Sequence, residues 1–577
     1  MSLRIRWLGR VAYRDAHACQ QALLQRKGNY LLLLEHPHVF TLGLRGNESN
    51  ILVDPADVGA ELVHTDRGGD VTYHGPGQLV GYPVMTVPGK RGGGLADTVA
   101  YVRSVEQLLI DVLGDLGLTG CGRLADYPGV WVAPGGDNPR KIAAIGVRLN
   151  RTRSMHGFAL NVNCDREWFD RIVPCGIPDK AVTTLAGEGL EVSMREVVDA
   201  VAVRAADRWG RGEVDRADVA WRHSPDDLSS FSGGRVPDGG TDGEGRRQHP
   251  SRVPFSGGRV PDGVAHNKAR RQSRMVEAGL GEGLAITERK PPWLRVALRT
   301  GPEFRRLRSV LHHRDLVTVC EEAGCPNIYE CWNEGTATFM INGERCTRAC
   351  GFCLVDTRYP EPPDPDEPER VADAVEAMDL DYAVITAVAR DDLPDGGAAG
   401  FAATVAAVRS RTPGARVEVL IPDCRGDPSA LNVIFAARPD VLNHNIETVA
   451  RLQRVVRPSA GYARSLAVLG RAKRAGLVTK SSIIVGMGET DEEVAQTMAD
   501  LAAVGTDILT VGQYLRPTSH HLPVARWVPP ERFEWYQQAG LSLGLSHVEA
   551  SPLTRSSHHA QQAYSQALLS TAEVRGA

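Results

Sequence analysis

Two different patterns of hydrophobic and polar positions divide the chain. In its first half, runs typical of strands lie at 30–35, 141–149 and 157–162. Helical periodicity covers Asp97–Leu113, and a second helix is predicted at Ser193–Trp209. Ser193 and Glu196 have the spacing of a capping box at the start of that helix. Because strands and helices do not alternate regularly here, the first half is predicted to be an α+β domain.

In the second half, strand-like runs alternate with helical patterns. The predicted strands are Tyr382–Thr386, Arg416–Ile421, Val441–Ile446, Ser481–Val485, Asp507–Tyr514 and Val548–Ala550. One intervening helix, Thr490–Val504, carries a capping box formed by Thr490 and Glu493. Such βα repeats predict a parallel sheet or barrel with its active site at the carboxyl ends of the strands.

A segment of different composition separates the halves. Half of residues 229–264 are Gly, Pro or Ser, and few are apolar, so the segment cannot bury enough surface to offset its ordering entropy. FSGGRVPDG occurs there twice, at Phe231–Gly239 and Phe255–Gly263. Two copies are too few for a solenoid. The interpretation is a duplicated linker, with a short recognition motif as the alternative. The predicted units are a domain at 1–214, a disordered linker at 215–284 and a domain at 285–577.

Composition places the protein among ordinary globular, multidomain chains. Of its 577 residues, 42% are hydrophobic and 24% charged, and the net charge of −4 gives no reason to expect nucleic acid or an anionic membrane surface as a partner. The sequence has no apolar stretch of 18 residues and no apolar run of signal-peptide length at its start. A cytoplasmic protein is therefore expected, and a reducing compartment disfavours disulfides.

The 11 cysteines are unevenly placed. Four are scattered through the first half, and one stands alone near the middle of the second; these are Cys19, Cys121, Cys164, Cys175 and Cys424. After 144 residues without cysteine come two triplets, Cys320, Cys325, Cys331 and Cys346, Cys350, Cys353. A structural zinc site usually takes four protein ligands. Three thiolates per group suit a 4Fe-4S cluster that keeps one iron open for another ligand, although a zinc module is the alternative.

The second triplet carries a family resemblance. CTRACGFC at Cys346–Cys353 resembles the CxxxCxxC motif of radical S-adenosylmethionine (SAM) enzymes, and CEEAGCPNIYEC at Cys320–Cys331 is similar to the auxiliary-cluster motif of the lipoyl synthase family. Further matching segments are ERKPPWL, VARDDLPDGG, DVLNHNIETV, TKSSIIVGMGET and the RSS of Arg555–Ser557. The resemblance covers about residues 285–577. It implies a partial (β/α)6 barrel of the TIM type.

That resemblance implies two 4Fe-4S clusters with different tasks. The cluster on Cys346, Cys350 and Cys353 would bind SAM and cleave it to a 5′-deoxyadenosyl radical, which removes hydrogens from C6 and C8 of a protein-bound octanoyl chain. Such unactivated C–H bonds are beyond side-chain acid–base chemistry. The auxiliary cluster on Cys320, Cys325 and Cys331 would supply both sulfur atoms.

Other residues in this half are assigned by the same resemblance. Ser557, the second serine of RSS, would be the fourth ligand of the auxiliary cluster; taken alone, it is a polar loop residue. His558 and His559 follow it where the family commonly has tyrosine, so the local packing is expected to differ. Asp395, Gly396 and Gly397 would contact the SAM amino group, with a simple turn as the alternative.

The first half resembles a second family. RGGDVTYHGPGQLVGYP at Arg67–Pro83, KIAAIGVR at Lys141–Arg148, HGFALNVN at His156–Asn163 and VPCGI at Val173–Ile177 are similar to motifs of the octanoyl-[acyl carrier protein]:protein octanoyltransferases. This resemblance covers roughly residues 1–210. It implies the fold shared by biotin and lipoate protein ligases.

The implied chemistry is covalent acyl transfer. Cys175 would attack the thioester of octanoyl-acyl carrier protein, and an acceptor lysine would then attack the resulting acyl-enzyme. Lys141 matches the family's catalytic lysine. The expected substrate-binding residues are Arg67, Gly68, Gly69, Asp70, Val71, Thr72, Tyr73, His74, Ala144, Ile145, Gly146, Gly157, Phe158 and Ala159. Cys19, Cys121 and Cys164 have no such context and are predicted to be structural.

Together the resemblances predict a bifunctional enzyme of lipoate biosynthesis. Both halves would act on the same lysine of lipoyl domains in 2-oxoacid dehydrogenase complexes and of the glycine cleavage H protein. Octanoyl-acyl carrier protein and a one-electron donor would be further partners, whereas no nucleic acid or membrane is expected. A flexible linker would raise the effective concentration of the shared acceptor without fixing the geometry of the two sites.

Three alternatives remain at this point. The first half could be an ATP-dependent lipoate or biotin ligase, although Cys175 and the absence of an obvious GRGR-type adenylate loop disfavour it. The six clustered cysteines could form a non-catalytic iron–sulfur or zinc module. One of the two halves could also have lost its catalytic activity, although the motifs quoted for both halves are intact.

Overall fold

The structure is a computed structural model that describes residues 3–90, 94–177, 180–210, 214–219, 271–295, 318, 327–333 and 336–576. The repeated FSGGRVPDG segment, Cys320 and Cys325 lie outside these residues. The described part of the chain folds into two α/β units.

The N-terminal unit is built on a nine-stranded mixed sheet. Its strands are β1 (Leu3–Arg10), β2 (Asn29–Glu35), β6 (Gln78–Val84), β7 (Cys121–Leu124), β8 (Tyr127–Val132), β9 (Arg140–Asn150), β10 (Arg153–Asn161), β11 (Ala181–Val182) and β12 (Val214–Asp218). They follow the order β12-β1-β2-β6-β10-β9-β8-β7, and β11 pairs with β9. The three strands predicted from hydrophobic runs are β2, β9 and β10, and all three are confirmed.

A second, three-stranded sheet of order β4-β3-β5 lies beside the first. Its strands are β3 (Val39–Leu42), β4 (Glu61–His64) and β5 (Val71–His74). It encloses a small apolar cluster that includes Phe40, Tyr73 and Trp168. The loop 65–70 joins β4 to β5 and therefore lies at the edge of this small sheet.

Three helices pack on the large sheet: α1 (Tyr13–Leu24), α2 (Thr98–Asp115) and α3 (Met194–Trp209). The predicted helices are confirmed as α2 and α3. The capping box of α3 is also present, because the Ser193 side chain accepts from the Glu196 backbone and the Glu196 carboxylate accepts from the Ser193 backbone. One face of α2 and α3 is buried against the sheet, as their periodicity requires.

Ordered structure extends past the predicted boundary at 214/215. Strand β12, Val214–Asp218, pairs in parallel with β1 at the end of the large sheet. Its sequence VDRAD is mostly polar, and buried ion pairs of Arg216 with Asp199 and Asp218 compensate for that polarity. At the other side of the predicted linker, residues 271–277 form a helix (α4), and Met275 is buried in the core of the second unit.

The C-terminal unit is a parallel sheet of seven strands in sequential order. They are β13 (Thr336–Ile341), β14 (Tyr382–Ala387), β15 (Arg416–Leu420), β16 (Val441–Asn443), β17 (Val478–Val485), β18 (Ile508–Gln513) and β19 (His547–Ala550). All six predicted strands are confirmed. The partial parallel barrel is confirmed, and a further strand that was not predicted, β13, precedes the six and leads directly into the Cys346–Cys353 loop.

Helices connect these strands in the right order for a barrel-like array. After α5 (Ile328–Asn333), they are α6 (Glu367–Ala377), α7 (Ala398–Arg411), α8 (Pro428–Ala436), α9 (Gln453–Val456), α10 (Tyr462–Arg474), α11 (Asp491–Val504), α12 (Pro530–Ser542) and α13 (Ala560–Gly576). The capping box predicted for Thr490 and Glu493 is present at the start of α11. The loops at the carboxyl ends of the strands carry the predicted cysteine motif.

The two units share one hydrophobic core. Helix α1 packs against α10, and buried apolar residues of both helices belong to a single contiguous cluster. The contact is close, since a Cβ on Gly470 would lie only 2.8 Å from Cβ of Ala22. Packing between the units, and not only the linker, therefore fixes their relative orientation.

Buried charges cross the same boundary. Arg6, which is 1% exposed, donates from Nε to Asp500 Oδ2 at 2.8 Å and from Nη2 to Asp215 Oδ2 at 3.0 Å. The Tyr462 hydroxyl also donates to Asp500, at 2.9 Å. A buried pair of this kind fixes one arrangement, because breaking it would leave an uncompensated charge.

Among the described residues, no helix is both long enough and apolar enough to span a lipid bilayer.

Candidate active sites

Lys141 and Cys175 lie together at the start of β9, where that strand pairs with β8 on one side and β11 on the other. Nζ of Lys141 is 3.6 Å from Sγ of Cys175, and it also lies 4.8 Å from the centre of the Trp131 ring. Lys141 is buried on β9, whereas Cys175 is half-buried. A thiol with an adjacent cationic amine has the arrangement of an activated nucleophile.

A tight turn presents Cys175 to the lysine. The short 3-10 turn Pro174–Gly176 holds Cys175 at φ 58°, a left-handed conformation that is uncommon for a residue with a side chain. Gly176 follows at φ 67°, and a Cβ there would lie 2.7 Å from Oδ2 of Asp70. The turn is anchored by the backbone N–H of Val173, which donates to the carbonyl of Asn50 at 2.8 Å. Backbone strain at a reactive side chain is a common feature of active sites.

The predicted loop 67–70 lies against this turn. Asp70 Oδ2 accepts from Asn50 Nδ2 at 2.6 Å, and its Oδ1 accepts from the backbone N–H groups of Asn47 and Val71. Arg67 is buried and donates from Nη2 to the carbonyl of Thr41 at 2.6 Å. Burial lowers the pKa of the Arg67 guanidinium. Both charged side chains of the loop therefore hold its shape.

The remaining predicted pocket residues come from two paired strands and the adjacent loop. Strands β9 and β10 are antiparallel here. Gly146 pairs with Gly157, Ile145 with Phe158 and Ala144 with Ala159. The N–H of Gly68 donates to the carbonyl of Val147 at 3.2 Å, which joins the loop to β9. Gly157 has no room for a side chain, since a Cβ would overlap the carbonyl of Gly81. The structure thus brings 67–70, 144–146 and 157–159 together.

Strand β5 supplies packing as well as polar groups. Val71 and Tyr73 belong to the apolar cluster of the small sheet, where the Tyr73 ring stacks on Trp168 at 5.2 Å. His74 is buried, and its Nδ1 donates to Oε1 of Gln78 at 2.7 Å. Burial lowers the pKa of His74 well below its usual value, with His36 adding to the effect. Tyr73 thus lies in the core, and His74 is a neutral polar residue.

The cysteines without a predicted role are poor nucleophiles. Burial raises the pKa of Cys19, Cys164 and Cys424 to about 12 each and that of Cys121 to about 11. Their thiols stay protonated at neutral pH. None of the nine described cysteines forms a disulfide.

The loop after β13 carries the second cysteine group. Cys346, Cys350 and Cys353 are all half-buried, and backbone hydrogen bonds close the loop on itself and tie it to α9. The N–H of Cys346 donates to the carbonyl of Asp356 at 2.8 Å, and the N–H of Gly351 donates to that of Val456 at 2.8 Å. Three thiols are thus held in one short, fixed loop.

This donor set fits an iron–sulfur cluster. Burial raises the pKa of Cys350, and it raises that of Cys353 to about 12, so neither thiol ionises at neutral pH without a cation. Thiolate sulfurs are the usual ligands of such clusters, and three of them leave one iron open. Glu447 lies close enough to influence both thiols; it is half-buried, and desolvation raises its pKa.

Arg348 fastens the cysteine loop to the sheet and was not identified from the sequence. Its Nε donates to Asp391 Oδ2 and its Nη2 to Asp423 Oδ1, both at 2.6 Å. Its backbone N–H donates to Sγ of Cys346 at 3.4 Å. Asp391 and Asp423 follow the carboxyl ends of β14 and β15, where active-site residues of such barrels lie. That position in the sequence is the feature from which their role could have been predicted.

The predicted SAM-contact segment begins α7. Gly397 has φ 87°, and a Cβ there would lie 2.6 Å from Asn342 Nδ2. Asp395 accepts from the backbone N–H groups of Gly397 and Ala399 at 3.0 and 2.8 Å. The Asp395 carboxylate therefore caps the start of the helix, while Gly396 and Gly397 provide a close backbone turn against Cys424 and Asn342.

The auxiliary group is described only in part, since Cys320 and Cys325 lie outside the described residues. Cys331 is buried on α5, and Ser557 is half-buried in the loop before α13. Contacts among the described residues join these segments: Asn327 Nδ2 donates to the carbonyl of Leu553 at 2.8 Å, and Nε2 of His558 and Nε2 of His559 lie 3.4 and 3.7 Å from the Glu330 carboxylate. His558, which replaces the family's tyrosine, thus faces α5.

Comparisons with known proteins agree with this division into two units. The profile of the lipoyl protein ligase A/B catalytic domain matches residues 12–205, and that of the radical SAM superfamily matches residues 340–501.

Curated relatives match the second half over most of their own length. Lipoyl synthase of Mycobacterium avium (strain 104) is 54% identical over 280 residues, which are 48% of this chain and 91% of that protein. Lipoyl synthase of Rubrobacter xylanophilus is 55% identical over 275 residues, 47% of this chain and 86% of that protein.

Among solved structures, a putative lipoate protein ligase from T. acidophilum with bound lipoic acid is 17% identical, with a TM-score of 0.32 over 40% of this chain and 93% of that chain. Methylornithine synthase is 14% identical, with a TM-score of 0.30 over 42% of this chain and 72% of that chain.

Proposed function

Because the C-terminal half of the chain belongs to the lipoyl synthase family and the N-terminal half carries a lipoyl protein ligase A/B catalytic domain, we propose that the chain performs two consecutive steps of lipoate assembly. The first unit transfers octanoyl from octanoyl-acyl carrier protein to an acceptor lysine. The second unit inserts two sulfur atoms at C6 and C8 of that octanoyl chain.

The observation that carries the first step is the 3.6 Å distance between Lys141 Nζ and Cys175 Sγ. Cys175 attacks the thioester carbon of octanoyl-acyl carrier protein and the carbon–sulfur bond to the carrier breaks; Lys141 takes the proton from Sγ and returns it to the carrier thiolate, which leaves as the thiol. The lysine amine of the acceptor then attacks the octanoyl thioester and restores the Cys175 thiol. The half-buried left-handed turn keeps Sγ accessible, while Gly146 and Gly157 let β9, β10 and the neighbouring backbone pack closely beside it.

An ATP-dependent ligase is the competing activity for the same fold. A ligase needs no cysteine nucleophile, whereas the proposed transferase needs no nucleotide. Purified protein is incubated with a lipoyl domain and either octanoyl-acyl carrier protein or free octanoic acid, with and without ATP. Transfer that is independent of ATP and lost in Cys175→Ser supports the transferase. Transfer that requires ATP and free acid, and survives Cys175→Ser, overturns it.

In the second unit, Cys346, Cys350 and Cys353 are the residues that would hold a 4Fe-4S cluster. When bound, that cluster supplies the electron that cleaves SAM to the radical needed for C–H activation. Arg348 keeps the cysteine loop on the ends of β14 and β15 through Asp391 and Asp423. Gly396 and Gly397 let the backbone approach the bound cosubstrate closely.

Cys320, Cys325 and Cys331 would hold the auxiliary cluster that donates sulfur, with Ser557 as its oxygen ligand. The support is the sequence motif together with the contacts that join α5 to the Ser557 loop. Anaerobically purified protein should contain about eight irons per chain, from two four-iron clusters. The Cys331→Ala variant should lose half of them. Stoichiometric zinc without iron would overturn the proposal.

Partners follow from the two reactions. Octanoyl-acyl carrier protein is the donor, the acceptors are lipoyl domains and the glycine cleavage H protein, and a one-electron donor serves the second unit. A free catalytic thiol and thiolate-bound clusters suit the reducing cytoplasm, which is where we place the protein.

A further inference from the structure

Helix α1 of the N-terminal unit lies between the two candidate sites. At its start, the hydroxyl of Tyr13 lies 3.0 Å from Thr65 Oγ1, and its ring stacks with His74 at 6.3 Å. Thr65 is the first residue of the loop 65–70, which contributes to the acyl site. One side of the first turn of α1 therefore borders the acyl-transfer site.

The other side of that turn faces the C-terminal unit through Asp15. Asp15 is only 2% exposed, and its Oδ2 accepts from Nε of Arg464 at 3.1 Å. Its Oδ1 lies 3.3 Å from Nη1 of Arg471, about two turns further along the same face of α10. The two units approach closely here, because a Cβ on Gly426 would lie 2.8 Å from Oδ1 of Asp15.

Arg464 is shared between carboxylates of both units. Its Nη1 lies 3.6 Å from Oδ2 of Asp423, which is fully buried. The other oxygen of Asp423 accepts from Arg348 Nη2 at 2.6 Å. Although burial raises the pKa of Asp423, Arg348 and Arg464 together hold it down to about 2. Asp423 is thus an ionised link between the two arginines.

Arg348 completes the path, since it lies inside the Cys346–Cys353 loop and donates its backbone N–H to the Cys346 sulfur. The path from Asp15 to that loop runs through Arg464, Asp423 and Arg348, and each contact is an ion pair between buried or half-buried groups. Low effective dielectric strengthens such contacts relative to exposed pairs.

From this geometry we propose that Asp15, a residue of the acyltransferase unit, is a positioning residue for the SAM-cleavage site of the other unit. Asp15 holds Arg464 beside Asp423, so that Nη1 of Arg464 supports Oδ2 of Asp423 while Oδ1 accepts from Arg348. Without the Asp15 charge, Arg464 is no longer held there, the Asp423 carboxylate loses this support, and its bond to Arg348, one of the two anchors of the cysteine loop, loosens. The inference rests on the proposed cluster at Cys346, Cys350 and Cys353.

The test compares Asp15→Asn with wild type in the full, cluster-loaded chain. The dissociation constant of SAM is read from the change it causes in the electron paramagnetic resonance signal of the reduced cluster. Asp15→Asn should weaken SAM binding about 3- to 10-fold, as expected for coupling through a polar network.

Asp15→Glu, which keeps the charge, should recover most of the loss. Octanoyl transfer by the first unit should stay within about twofold of wild type, since Asp15 makes no contact with Cys175 or Lys141 in the described structure.

Asp500→Asn is the matched control. Asp500 is as buried as Asp15 and also pairs with an arginine of the opposite unit, Arg6, but among the described residues no chain of ion pairs joins it to the cysteine loop. Equal weakening of SAM binding in Asp500→Asn would mean that general opening of the interface is responsible, and would overturn the inference. An Asp15→Asn variant that binds SAM like wild type would overturn it as well.

Arg464→Gln provides a second variant if Asp15→Asn does not fold, because it removes the same contact from the other side. It should weaken SAM binding similarly, and a wild-type dissociation constant would again contradict the inference. Failure of the proposed function has a different signature. In that case wild-type protein itself shows no SAM-dependent change in the cluster signal.

Discussion

Nζ of Lys141 lies 3.6 Å from Sγ of Cys175, across the junction between β9 and the turn Pro174–Gly176. The two residues are 34 positions apart in the chain, and the pairing of β11 with β9 brings the segment after Cys175 back to Lys141. Both residues are therefore fixed by backbone structure before any substrate arrives. This preorganisation is what a covalent acyl-transfer site requires.

The first prediction concerns the Lys141 amine. Lys141→Met keeps the length of the side chain but removes its charge and its proton-transfer group, so formation of the octanoyl-enzyme should slow by about 10²- to 10⁴-fold. The measurement is the intact mass of the protein at short times after mixing with octanoyl-acyl carrier protein. The exposed Lys90→Met is the control and should acylate normally. Wild-type acylation in Lys141→Met would refute the assigned role.

The second prediction concerns the backbone at the start of α7. Gly397→Ala places a Cβ 2.6 Å from Asn342 Nδ2 in a left-handed conformation, which costs on the order of 1–3 kcal/mol. The turn should therefore shift, and the dissociation constant of SAM should rise by about tenfold or more. Gly414→Ala, where a Cβ meets nothing within 4 Å, should bind SAM as wild type does. Equal affinities for SAM in the two variants would argue against the predicted contact.

The third prediction concerns pH and His36. His36 is fully buried; its Nδ1 lies 2.7 Å from the Val11 carbonyl and its Nε2 lies 2.8 Å from the Tyr82 hydroxyl. Burial lowers its pKa to about 4, against about 6.5 in an unfolded chain. Between these values the unfolded state binds more protons, so the free energy of unfolding is highest above pH 6.5 and falls as the pH drops towards 4.

For His36 alone this loss amounts to about 2 kcal/mol at pH 5. Urea unfolding at pH 7.5 and 5.0, followed by circular dichroism, measures it. His36→Gln should be less stable than wild type at pH 7.5 but should lose about 2 kcal/mol less on acidification. If the two proteins lost equal stability between these pH values, His36 would not be protonated on unfolding.

The sequence was sufficient to identify those candidate site residues that belong to short motifs. Lys141, Cys175 and the Cys346 triplet were found because each motif keeps its chemical residues within a few positions. Regular βα alternation likewise predicted six of the seven parallel strands. Strand β13 was missed, since its six residues follow the auxiliary motif closely and no predicted helix separates it from that motif.

Contacts between distant segments could not be predicted. Strand β12 is largely polar, so its composition resembles the linker, and only its pairing with β1 makes it part of the sheet. Asp15 and Arg464 are 449 positions apart, and neither belongs to a recognisable motif. Their partnership depends on how α1 packs on α10, which hydrophobic periodicity alone does not specify.

The docked arrangement changes what the linker needs to do. The sequence suggested two tethered units without fixed geometry, whereas the structure gives them a common core and buried ion pairs. The linker still keeps the units in one chain, but their mutual orientation comes from α1, α10 and Arg6. Cutting the chain within 221–270 should therefore leave the two units bound to each other in gel filtration.

The central claim is that one chain installs octanoyl and then inserts sulfur on the same acceptor lysine. The most direct measurement is the intact mass of a lipoyl domain after a single turnover with cluster-loaded protein, octanoyl-acyl carrier protein, SAM and a one-electron donor, without ATP. Wild type should yield the lipoylated domain, Cys350→Ala should stop at the octanoylated domain, and Cys175→Ala should leave the domain unmodified. Lipoylated product from Cys175→Ala, or a wild-type reaction that never advances beyond the unmodified domain, would contradict the account.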